Sequence, residues 1–270
     1  MNEQKQGQTN VPSKSYTYSR LFGTLYERGS PLEERINAAK AEMGEVAVKK
    51  GFAAVPKEVM DKVRGPELAN KALAVGGNFK SLGLRVHEAT GEEYLWLCVR
   101  NKEGRSFVSI PLNTDLGKQV VRKLANAAID EQLTIQPFGS LSDPKDGRVY
   151  GNHNAGMWQG EAKVEGISTD PLRAEMAKLR EKHQAAGIDA KTSRSAMSAL
   201  ELDWHRDVLK QTMERVNQHW LNVQAERASE RAAGNEAAAG AAADLEAGED
   251  LPPEVELDRE DEALAMGLAR

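Results

Sequence analysis

The chain has 270 residues, 40% of them hydrophobic and 29% charged, with a net charge of −5, which suits a folded domain carrying extensions. No run approaches the roughly 18 apolar residues that span a bilayer, and the first 30 residues lack the apolar stretch of a secretory signal. Cys98 is the single cysteine, so an internal disulfide and a multi-cysteine zinc site are both excluded, and a cytoplasmic protein with no membrane association is expected.

Residues 1 to 13 are polar and Gln-rich and are expected to be disordered. Tyr16, Tyr18, Arg20, Phe22 and Tyr26 then fall on positions of one parity, which suits a strand or an extended arm. Ser30-Pro31-Leu32-Glu33-Glu34 has the form of a helix start, with a serine cap, proline at the first helical position and acids in the first turn. This helix is predicted to run to Lys50 and to be closed by Gly51. Pro56 and Pro66 each open a shorter helical stretch, and Gly76-Gly77 ends that region.

From Asn78 the period changes to two. Phe79 to His87 alternates, with Leu82, Leu84 and Val86 on one side and Phe79, Ser81, Gly83, Arg85 and His87 on the other. The next stretch, YLWLCVRNKEGRSFVSIPL, covers residues 94 to 112 and divides in the same way. Leu95, Leu97, Val99, Val108, Ile110 and Leu112 form a smooth aliphatic face. Tyr94, Trp96, Cys98, Arg100, Phe107 and Ser109 form the other, and Asn101-Lys102-Glu103-Gly104 closes a hairpin between the two runs. Cys98 is expected to be a small half-buried strand residue.

Asn113 to Ile129 is predicted helical, with Leu116, Val120 and Leu124 on one stripe and Thr114 or Asn113 as the cap. Leu133 to Phe138 is a further strand, Asp143-Pro144-Lys145-Asp146-Gly147 a turn, and a last strand starts near Arg148-Val149-Tyr150. Thr169-Asp170-Pro171 opens a helix that closes near Gly187. A longer helix follows from about Thr192 to Ala232, its stripe including Trp204 and Trp220 and suited to packing on the domain or on a second copy.

The end of the chain is different in kind. Asp244 to Glu262 holds ten carboxylates and one arginine, while residues 1 to 243 carry 34 basic and 31 acidic side chains. A mildly basic body joined to an acidic tail suits a body that meets a polyanion and a tail that competes with it or recruits a partner; a merely solvating tail is the plainer alternative.

Three strands, a helix and two strands is the chain order of the OB-fold, a small Greek-key barrel that binds nucleic acid across its second and third strands. Together with the acidic tail, this order resembles the single-stranded DNA-binding proteins of bacteria and their phages. The added helical segments and the ending Ala263-Leu264-Ala265-Met266-Gly267-Leu268-Ala269-Arg270 mark a divergent, phage-like or plasmid-like relative. The resemblance implies an α+β protein built on a five-stranded OB-type Greek-key barrel. Its expected parts are an aromatic and basic arm over 1–30, a helical segment over 31–77, the barrel over 78–168, a helical extension over 169–233, and an Ala/Gly linker with a disordered acidic tail over 234–270. The implied partners are single-stranded DNA and, through the tail, replication or recombination proteins. A homo-oligomer contact would fall on the long helix.

The expected nucleic-acid-binding residues are Phe79, Lys80, Arg85, Tyr94, Trp96, Arg100, Lys102, Arg105, Phe107, Arg148 and Tyr150, the rings stacking on bases and the cations following phosphates. The competing reading buries Tyr94, Trp96 and Phe107 as core. No enzyme is expected. His153 has no nucleophile or orienting carboxylate beside it in sequence, the other histidines lack metal-ligand spacing, and no GxxxxGK phosphate loop occurs. A non-enzymatic protein-interaction adaptor of phage or plasmid type, using the same barrel, is the alternative function.

Overall fold

The computed structural model describes residues 13–50, 52–68, 73–88, 90–141 and 151–243. The chain divides into two units, Met1–Met213 and Glu214–Arg270. The described part of the second is the distal stretch of one long helix.

In chain order the first unit holds strands β1 (Ser13–Ser19) and β2 (Thr24–Glu27), helices α1 (Pro31–Lys50) and α2 (Lys57–Leu68), and strands β3 (Val75–Val86), β4 (Glu93–Asn101) and β5 (Gly104–Pro111). Helix α3 (Asp115–Leu124), strands β6 (Gln132–Leu141), β7 (Gly151–Gln159) and β8 (Ala162–Lys163), and helix α4 (Asp170–Ala185) follow. Helix α5 (Ala190–Ala243) belongs in part to each unit. No helix among the described residues is long and apolar enough to cross a membrane.

The eight strands form one sheet in the order β2-β1-β5-β4-β3-β6-β7-β8, and β1 runs parallel to β5 while the other neighbours are antiparallel. The α+β class therefore holds, but the five-stranded closed barrel does not: the sheet is open, mixed and larger. The cause lies in the N-terminal segment expected to be an arm. Ser13 to Thr17 pairs with Arg105 to Ser109 and so takes the free edge of β5, along which a closing strand would have to bond.

The hairpin divides as its alternation predicts. Leu95, Leu97, Val99, Val108, Ile110 and Leu112 are fully buried and meet Leu116, Val120 and Leu124 of α3 with Leu133, Ile135 and Met157 of β6 and β7 in one apolar core. Each such side chain contributes roughly 1.5–3 kcal/mol through burial. Thr114 caps α3, its Oγ1 accepting from the Gly117 amide at 3.0 Å and donating to the Pro111 carbonyl at 2.7 Å. Gly117 is required there, because a Cβ would stand 2.2 Å from the Pro111 oxygen and 2.9 Å from Leu112 Cα.

Leu21, Phe22, Leu32, Ile36, Ala39, Val59 and Val63 build a second, smaller core between the β1–β2 turn and the two N-terminal helices. Ser30 caps α1 as predicted, with Glu33 Oε2 accepting from the Gly29 amide at 2.6 Å. One helix departs from expectation: Gly44 at φ 70° breaks α1, which was expected to run unbroken to Lys50, whereas the break in α2 at Gly65, φ 60°, falls immediately before Pro66, where a fresh helical start was expected.

Candidate nucleic-acid interface

The outer face of β5, β4 and β3 collects the half-exposed side chains of the hairpin. Trp96 sits on the middle strand, Phe107 on β5 and Arg85 on β3. The Trp96 and Phe107 rings lie 4.5 Å apart at 15°, and the Arg85 guanidinium carbon lies 4.3 Å from the Trp96 centroid. Since the two groups come from strands on either side of β4, Trp96 is sandwiched: an arginine, an indole and a phenyl ring stack in sequence across three strands. Stacked aromatic pairs and cation–π contacts each contribute about 0.5–1.5 kcal/mol. Gly83 is the register partner of Trp96 and leaves room beside the indole.

Beyond this stack the face becomes cationic. Arg100 and Arg105 are direct register partners, and neither makes an ion pair among the described residues. Lys102 is exposed in the turn between them, which Asn101 Oδ1 holds by accepting from the Glu103 and Gly104 amides at 2.9 and 3.1 Å. Like charges placed opposite each other on a sheet are unfavourable unless something negative joins them.

Tyr94 is half-buried, and its hydroxyl donates to Glu92 Oε2 at 2.7 Å. Burial, with the Glu92 carboxylate adding to it, pushes that phenol up to about 12. Cys98 is buried beneath this face, and burial raises its thiol against a lowering contact from Ser81, so it is a packing residue and not a nucleophile.

Two of the expected contact residues are withdrawn. Phe79 is fully buried, because the register shifts between Phe79 and Ser81 and a bulge at Lys80 turns the phenyl ring inward opposite Val99. Lys80 itself is ion-paired with Asp130. Arg148 and Tyr150 lie outside the described residues. Tyr94, Trp96, Phe107, Arg85, Arg100 and Arg105 share one face by register, with Lys102 in the turn at its end, and the three rings are half-buried.

Sequence reasoning missed the contribution of β1. Ser13, Ser15 and Thr17 pair with Arg105, Phe107 and Ser109 and extend the face by small hydroxyls. The alternation of small polar and aromatic residues in Ser13 to Ser19 carried that signal. It also missed the partner of His153: the Tyr18 hydroxyl lies 2.8 Å from His153 Nδ1, with Phe52 edge-on at 5.5 Å. Burial first, then Arg20, lowers the His153 pKa, while Asp115 opposes. Burial also raises the Tyr18 phenol, so burial favours the neutral form of both groups in this packed contact.

No family model, curated protein or solved structure matches the chain. Nothing in those comparisons points to the single-stranded DNA-binding family, and the case for any function rests on this face.

Proposed function

We propose that the outer face of β3, β4 and β5 binds single-stranded DNA without sequence preference. The observation that carries the reading is the Arg100–Arg105 pair: two cations face each other with no ion pair among the described residues, beside half-exposed rings. A phosphate bridging them would remove their repulsion and join the chain to the aromatic part of the face. Bases would then stack on Phe107, whose partner on β1 is the small Ser15, and on Tyr94. Trp96, with both faces occupied, holds the surface rigid and is not itself a platform.

The reading assigns the protein to the cytoplasm, in replication or recombination, as a binder without catalysis. The acidic tail over 244–270 competes for the cations when DNA is absent and recruits partner proteins when DNA displaces it. The test is fluorescence anisotropy of a labelled oligo-dT with the full chain at several salt concentrations. A binding constant whose logarithm falls linearly with the logarithm of salt is expected. Absence of binding at about 50 mM salt, well inside the regime where phosphate contacts dominate, would sink it and favour the adaptor that docks a protein on the same face.

A further inference from the structure

A cleft of about 380 Å³ opens between α3, the start of α4 and the early part of α5. It shares no residue with the sheet face, and His205 decides what it can hold. This side chain is 2% exposed, and its Nδ1 lies 2.7 Å from the Glu201 carbonyl oxygen. A carbonyl only accepts, so Nδ1 bears the proton and Nε2 of the neutral ring presents a lone pair. Burial above all, with Lys118 and Arg122 adding, lowers the imidazole pKa against the pull of Glu201. Nε2 has no hydrogen-bond partner among the described residues. That nitrogen is open to the cleft and not sealed from it, so a hydroxyl of a ligand there reaches it and donates to its lone pair.

The same cleft holds unspent donors. Arg122 uses Nε on the Ile167 carbonyl at 3.0 Å, which leaves both terminal amino groups of the guanidinium without a partner among the described residues. Among the described residues Arg173 has one ion pair, to Asp170 at 3.7 Å, and it is largely exposed. Thr169, just before α4, makes no capping bond with its side chain. Lys118 and Glu201 neutralise each other at 2.6 Å, and Leu172 supplies an apolar wall. Guanidinium forks match the geometry of phosphate oxygens, and the volume is that of a small-molecule site.

We infer that this cleft binds a small phosphomonoester whose phosphate oxygens accept from Arg122, Arg173 and Thr169 while a hydroxyl of the same molecule donates to His205 Nε2. Titration calorimetry of the full chain with glycerol 3-phosphate, alongside glycerol and inorganic phosphate, tests this. Saturable binding of glycerol 3-phosphate is expected, with glycerol silent, inorganic phosphate weaker, and a shift of the His205 Nε2 resonance in the NMR spectrum. Arg173→Gln, at a position too exposed to threaten folding, should weaken binding at least about tenfold, the order of one charge-assisted hydrogen bond. The assignment fails if there is no saturable binding, if Arg173→Gln binds as the parent does, or if the His205 resonance stays still. Equal affinity for inorganic phosphate would also overturn it, leaving an adventitious ion only.

Discussion

Replacing Arg100 and Arg105 together with glutamine separates a structural role from a binding role by the sign of two effects. The two side chains are cross-strand partners with no ion pair among the described residues, and glutamine keeps part of each aliphatic stem while removing both charges. Repulsion between directly opposed like charges costs up to about 1 kcal/mol, so the double variant should be as stable as the parent or gain a few tenths of that amount. DNA binding should move the other way. Each phosphate neutralised on a single strand contributes about 0.7 to the slope of log K against log salt. Losing the one phosphate that the pair bridges therefore lowers the slope by about 0.7, which at 0.1 M salt is roughly a fivefold loss if the non-electrostatic part read at 1 M is unchanged. Urea denaturation and oligo-dT anisotropy over a salt series measure the two quantities. A destabilised variant with an unchanged salt slope would show that the arginines serve the fold, and the proposed interface would lose its main support.

Phe107→Ala should weaken oligo-dT binding by about 1–3 kcal/mol, the contribution of one stacked base; equal affinity would remove Phe107 from the interface. Gly117→Ala drives a Cβ into the backbone of Pro111 and Leu112, and a loss of about 1–3 kcal/mol is expected from the overpacking, against which an unchanged urea midpoint would count. His153 and His205 both have lowered pKa values, chiefly through burial. The unfolded chain therefore takes up their protons first, and stability that is full above about pH 6.5 is lost as pH falls below it. Urea midpoints between pH 7.5 and pH 5 should fall with pH, less so in His205→Gln; a flat or rising profile would contradict the burial of these rings. Removing residues 244–270 should tighten oligo-dT binding at low salt and do little at high salt, and identical curves for the two chains would end the competition idea.

How much of this was legible in the sequence depends on the range over which each feature is decided. The hairpin at 94–112 was legible because its alternation, short turn and single aliphatic face are all local, and the caps at Ser30 and Thr114 marked their helices for the same reason. The open sheet was not legible, since it depends on Ser13 to Thr17 finding the edge of β5 some ninety residues away, and parallel pairing leaves no turn signal between its strands. Phe79 was misplaced by a single inserted residue at Lys80, enough to reverse which face a strand presents.

The same limit governs the indole. Alternation placed Trp96 on the outward face but carried no account of its lateral neighbours, and these turn out to be Arg85 on one strand and Phe107 on the other. A ring already clasped on both sides must break an existing contact before it can stack on a base, giving up about as much as it gains. Phe107 has only small Ser15 opposite it on β1 and incurs no such cost. The strand pairing, more than the aromatic content of the face, therefore selects Phe107 over Trp96 as the ring that meets DNA.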